Sequence, residues 1–298
     1  MMQHSAAAIV LACGSLVVAT IGCEHERVEE SATEELRFDA DGHITVEVRV
    51  DNGRVEVVGG SPGVVDVVFT NRARAADSPG ARALLENIRT EAIRDGDVVR
   101  VEVRTRASGG LTLGGSAWTE VAIRVPPEST ELEILTEDGR IEIQGVSGTI
   151  RAETGDGRIR VSDVGGSVKL RTSDGPVTGA NLTGDFDVLT DDGRIRLDGS
   201  FGQLRAVTGD GSIRVIGRDI TAISNEWTLR TSDGEIELSL PESVAAELEA
   251  YSGDGRVTND LSHFEGSARA NRVKGTLGLG GARILVTTMD GRIVLKES

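Results

Sequence analysis

The chain has 298 residues, enough for one or two domains. It carries 32 Lys and Arg against 48 Asp and Glu, a net charge of -16, which speaks against nucleic acid or an anionic membrane surface as partner. Four His and two Cys leave little material for metal or nucleophile chemistry, so neither a cofactor nor a metal site is expected.

Residues 6 to 22 read AAAIVLACGSLVVATIG, an uncharged run that ends at Cys23 and turns polar at once. The run is short and broken by Gly14 and Gly22, so it suits the apolar region of a signal peptide better than a membrane span. Thr20-Ile21-Gly22-Cys23 resembles a bacterial lipobox, which implies that residues 1–22 are a lipoprotein signal peptide and that Cys23 carries lipid. An ordinary cleaved signal or an uncleaved anchor is the alternative. Cys13 would leave with the signal, so Cys23 would be the single mature cysteine. Residues 23–37 are rich in Glu and read as an acidic tether.

Residues 38–130 hold strands, one helix and a cap. Residues 43 to 50 alternate with Ile44, Val46, Val48 and Val50 on one face. Asn52-Gly53-Arg54-Val55-Glu56-Val57 imitates the units found later, so the repeats could start here as well. Strands are expected at 64–69, 98–103 and 120–125. Residues 80–94 read as the helix, with Leu84, Leu85, Ile88, Ala92 and Ile93 as its apolar stripe.

From residue 131 to 298 the chain repeats itself. Asp-Gly occurs at Asp138, Asp156, Asp174, Asp192 and Asp210, then at Asp233, Asp254 and Asp290. Ladders of like residues appear when the copies are stacked. One comprises Thr136, Thr154, Thr172, Thr190, Thr208, Thr231, Ser252 and Thr288; another runs from Ile141 and Ile159 to Ile293. Apolar residues two apart signal strands, and Asp-Gly between strands signals a turn. A coil that returns over its own start needs the same residue class at the same place in every copy, whereas a hairpin meander does not. Residues 131–298 therefore read as an all-β parallel β-solenoid of ~18-residue coils, stacked at roughly 4.8 Å into a rod of about 40 Å. The threonines read as an inward stack bonded to backbone or to one another. Extra residues at 218–225 and 241–246 mark irregular coils. A coil between Asp254 and Asp290 has lost its Asp-Gly, with Gly275 to Gly281 as a loosened corner.

The lipobox, the NGRVEV strand pair, the passage WTEVAIRVPPESTELEILTEDGRIEI and the repeated T-x-D-G-x-I-x-V together resemble the bacterial DUF4097 family over residues 38–298. Members are described as candidate adhesins related to the head domains of auto-transporter adhesins. The resemblance implies a single-stranded right-handed β-helix outside the cytoplasmic membrane, and it brings no catalytic residues with it.

The remaining chemistry is sparse. The eight aspartates form a structural turn ladder, with Arg140, Arg158, Arg194, Arg256 and Arg292 two positions on to offset their charge. Calcium shared along the ladder is the competing reading. The function expected is that of a non-enzymatic, exported lipoprotein of the cell envelope, on the outer membrane or the periplasmic face. It would act as an adhesin or scaffold surface, held to the membrane by its lipid and open to an envelope protein or glycan, with no nucleic-acid partner. An envelope-stress or signalling binding module is the alternative, and a carbohydrate-active β-helix enzyme the third reading.

Overall fold

A computed structural model describes residues 27–40, 42–106, 115–128, 130–218 and 224–298. The signal segment and Cys23 lie outside the described residues. No helix among the described residues is long and apolar enough to cross a membrane. The chain divides into two compact units, residues 1–142 and 143–298. Both are built almost entirely of strands.

The first unit contains β1 (Val28–Ala40), β2 (Ile44–Gly59), β3 (Gly63–Ala75), α1 (Ser78–Leu85), β4 (Ile88–Asp95), β5 (Val98–Thr105), β6 (Ser116–Val125) and most of β7 (Thr130–Gln144). β2 behaves as one coil: residues 45–50 pair in parallel with β5 and residues 53–59 with β6. A Cβ on Gly139 would stand 2.6 Å from the Gly53 carbonyl oxygen, so the Asn52-Gly53 corner lies against the Asp138-Gly139 corner.

Two expectations fail in this unit. Residues 28–37 are not a tether, because Val28 to Ala40 pairs along its whole length, antiparallel, with β3. Its alternation, with Leu36, Phe38 and Ala40 facing inward, outweighs its charge. Glu30 is buried beside the Ser78 hydroxyl and the Arg82 guanidinium. The helix is also shorter than the 80–94 stripe suggests. Asp77 caps α1 by accepting from the Gly80 amide, and Ala81 and Leu84 pack on Ala73 and Ala75. The chain then extends into β4, antiparallel to β5 across a turn at Gly96, whose φ is +61°. Ile88 is buried, while Ile93 is left 43% exposed. Apolar residues spaced at 3 and 4 fit a helix stripe, but the partner strand β5 recruits this segment into the sheet.

The second unit is a stack of coils. Its strands are β8 (Ser147–Thr154), β9 (Ile159–Ser162), β10 (Gly165–Thr172), β11 (Val177–Thr190), β12 (Ile195–Val207), β13 (Ile213–Gly217), β14 (Trp227–Arg230), β15 (Ile236–Leu240), β16 (Ala246–Ser252), β17 (Val257–Asn259), β18 (Phe264–Arg269), β19 (Arg272–Leu277), β20 (Arg283–Thr288) and β21 (Ile293–Glu297). They form two parallel ladders. One runs β8, β10, the second half of β11, the second half of β12, β14, β20 and β16. The other runs β9, the first half of β11, the first half of β12, β13, β15, β21 and β17. Ile150 sits beside Val168, and Val168 beside Phe186, as the 18-residue period requires. The result is a β-solenoid-like stack.

The order of the last layers differs from the order of the sequence. Trp227 pairs with Ile284, and Ile284 with Leu248. The coil of β20 and β21, last in the chain, therefore lies between the coil of β14 and β15 and the coil of β16 and β17. No coil exists between Asp254 and Asp290. β18 and β19 form an antiparallel hairpin there, and β19 pairs antiparallel with the free edge of β16. A covered edge leaves fewer unpaired backbone groups for another chain to find.

The interior is filled by the predicted ladders, with Ile150, Val168, Leu204, Trp227, Leu248 and Ile284 at most 1% exposed. Phe186, Phe201 and Trp227 meet edge to face, with ring centroids 5.5 and 5.8 Å apart. The Leu182 side chain occupies the space opposite Gly179, whose Cβ would lie 2.6 Å from it.

Candidate functional site

The corner explains the sequence motif. From Thr172 onward the buried ladder hydroxyl accepts from the amide of the glycine three residues on, as Gly175 N to Thr172 Oγ1 at 3.2 Å and Gly193 N to Thr190 Oγ1 at 2.9 Å. The same hydroxyl donates to a corner carbonyl of the neighbouring coil, as Thr172 Oγ1 to Gly157 O at 2.9 Å. The inward stack is thus bonded to backbone. The glycine is needed because the corners touch: a Cβ on Gly193 would lie 2.0 Å from Gly175 O, and one on Gly211 2.0 Å from Gly193 O. No side chain fits at that distance.

The eight ladder aspartates are all exposed. Their carboxylates accept no hydrogen bond among the described residues, since the threonine already serves the turn. Among the described residues no three His, Cys, Asp or Glu side chains converge as a metal-holding group. The offsetting role given to the arginines is also not seen within the second unit. Arg158 and Arg194 make no ion pair with the aspartate two positions back, and Arg292 pairs with Glu235 at 2.8 Å.

The arginines instead line the outer face of the ladder from β9 to β17. Ile159 and Val161 point inward, so Arg158 and Arg160 point outward; Ile195 and Leu197 place Arg194 and Arg196 in the same way. Arg214 follows beside Arg196. Over the first four layers this face carries five arginines, with Pro176, Thr178 and Ser212 between them. Its single carboxylate there, Asp198, is held by Arg218. Arg194 donates to the Ser212 hydroxyl at 3.1 Å and Arg214 pairs with Glu237. Arg158, Arg160 and Arg196 have no hydrogen-bond or ion-pair partner among the described residues. Five arginines close together on a chain of charge -16 are a local inversion of sign.

Two concavities open on this face. One, of about 230 Å³, is lined by Arg194, Arg196, Ser212, Arg214, Glu235 and Glu237. The other, of about 550 Å³, is lined by Ile216, Arg218, Ser239, Pro241, Lys296 and Glu297. Glu237 lies between basic groups. The hydrogen-bonded Lys296 ammonium and then the Arg214 guanidinium hold its carboxyl below the usual carboxylate range, against the opposing effect of burial. It is an anion fixed in an ion pair.

The ladder aspartates were named from the sequence; the arginine face was missed. The signal was present, because residues flanking an inward ladder position by one must point outward. Reading those flanking columns down the stack would have found Arg160, Arg196 and Arg214.

The parallel coil stack with its solvent-facing side walls is that of a β-solenoid-like protein. The chain belongs to the Toastrack DUF4097 family, whose model matches residues 83–296. Three solved structures are similar at low identity. One is described as a candidate cell adhesion protein from Clostridium sporogenes, 11% identical, with 89% of this chain and 100% of that chain covered and a TM-score of 0.25. A second is a candidate adhesin from Bacteroides fragilis, 9% identical, with 90% and 97% covered and a TM-score of 0.34. A third is a candidate lipid binding protein from Parabacteroides distasonis, 9% identical, with 89% and 97% covered and a TM-score of 0.26. No curated protein matches the chain.

Proposed function

We propose that this protein is a non-enzymatic adhesion or scaffold module of the cell envelope, exported and anchored by lipid on Cys23, with its coils wound right-handed. The observation that carries the reading is the arginine face, where three of the five guanidinium groups have no partner among the described residues and stand on a rigid parallel sheet. Preorganised groups lose little freedom on contact, so a flat rigid face can recognise a partner without performing chemistry.

The test is fractionation of the native host carrying wild-type chain or Cys23→Ala, with mass spectrometry of the purified protein. Wild type should partition with membranes and carry acyl mass on Cys23, and the variant should lose both. Envelope material retained by the tethered protein then separates the adhesion reading from a signalling module, which would retain one defined protein. A wild-type chain found in the cytosol without acyl mass overturns the envelope reading.

A further inference from the structure

We propose that the arginine face of the second unit binds a single extended chain of an acidic polysaccharide, laid along the coil stack. This rests on the adhesion reading above and specifies its ligand.

The dimensions favour a thin polymer. Each layer of this face presents about four residues of strand, roughly 13 Å across at 3.3 Å per residue. The stretch from β9 to β13 covers four layers, or about 15 Å along the stack. The arginines recur along that axis: Arg158 and Arg160 on one layer, Arg194 and Arg196 two layers on, and Arg214 on the next. A ligand that meets all three layers must carry negative charge repeatedly along its length. Guanidinium groups bind carboxylates through paired, planar hydrogen bonds, and those of Arg158, Arg160 and Arg196 have no partner among the described residues to surrender first.

The surroundings limit the width of the ligand. Exposed Asp156, Asp174, Asp192 and Asp210 run along the corner beside this face, and Glu235 and Glu237 close its far end. A nucleic-acid duplex or a membrane plane would press its charge against these carboxylates as well. A single glycan chain lies between them. Pro176, Thr178 and Ser212 keep the layer-to-layer path low, and the 230 Å³ concavity beside Arg194, Arg196 and Arg214 gives room for a sugar ring.

The experiment uses the full chain with Cys23→Ala, so that no acyl group draws it to lipid. Binding is measured to immobilised polygalacturonate, to neutral dextran and to phosphatidylglycerol vesicles. Arg160→Ser with Arg196→Ser removes two unpartnered charges from the face. Lys169→Ser with Arg171→Ser removes the same charge from exposed positions on the other ladder. The expected result is salt-sensitive binding to polygalacturonate, weakened about tenfold by the first pair and less than about twofold by the second. Equal losses in both pairs, capture by vesicles alone, or no binding to polygalacturonate overturns the proposal. Binding to dextran that neither pair changes overturns it too, but leaves the adhesion reading standing. Absence of any carbohydrate capture, together with a cytosolic wild-type chain, removes both.

Discussion

Thr288 donates its hydroxyl to the carbonyl oxygen of Gly234 at 3.2 Å, across 54 positions of sequence. The next bond of the same ladder runs from Ser252 Oγ to Gly291 O at 2.7 Å. The final coil of the chain is therefore an interior layer. It is entered through Gly278 and Gly280, both at positive φ, after the chain has already built the layer beyond it.

Deleting residues 283–298 should consequently do more than shorten the stack. It removes Ile284, Val286, Ile293 and Leu295, all fully buried, from between two other layers. At about 1.5 to 3 kcal/mol for each buried aliphatic side chain, the loss is at least about 6 kcal/mol, comparable with the stability of a whole domain. Thermal denaturation followed by circular dichroism should show the cooperative transition lost. A truncated chain that melts within a few degrees of wild type would show that this layer is dispensable.

The corner predicts opposite costs for adjacent residues. Gly193→Ala forces a Cβ to within 2.0 Å of Gly175 O and must displace backbone in two coils. A destabilisation of about 3 kcal/mol or more is expected, in the range of severe single substitutions. Asp192→Ala, one residue away, removes an exposed carboxylate without a bond and should cost less than about 1 kcal/mol. Urea denaturation of the two variants checks the order. Equal costs would mean that the aspartate side chain shapes the turn.

Thr208→Val tests the inward hydroxyl. The variant keeps the shape but loses the bond to Gly193 O at 3.0 Å and the acceptor for Gly211 N at 3.2 Å. A buried amide left without an acceptor costs about 1–3 kcal/mol. Amide exchange at Gly211 should accelerate along with the loss of stability. Unchanged protection at that amide would place its acceptor elsewhere.

Glu249 gives the acid limb of stability. The hydrogen-bonded Arg272 first, then Arg283 and Lys274, hold its carboxyl below the ordinary glutamate value of 4.5, with burial opposing them. Arg272 and Lys274 belong to the hairpin strand β19 and Arg283 to the inserted strand β20, so one carboxylate joins both to β16. A depressed folded pKa means that the contribution is present above about pH 4.5 and is lost as the pH falls through the folded value. Melting temperatures measured between pH 7 and pH 3 should fall less steeply for Glu249→Gln than for wild type. Parallel curves would show that the carboxylate does not couple to folding.

The coil period and the inward ladders were legible in the residues themselves. A β-solenoid repeats its chemistry because each position rests on its counterpart, and an 18-residue spacing of Thr-x-Asp-Gly records that contact directly. The layer order was not legible for the same reason. Ile284 carries the same kind of side chain as Leu248, so the ladder accepts it on either side, and in the folded chain the hairpin of β18 and β19 occupies the other edge of β16. The helix boundary and β1 were decided by partner strands far along the chain. Val28–Ala40 and Ile88–Asp95 lie in the sheet because β3 and β5 offer them edges. The arginine face belongs to both levels: one-residue alternation turns Arg160, Arg196 and Arg214 outward, but only the stacking of their coils brings them into one column, where their charges add.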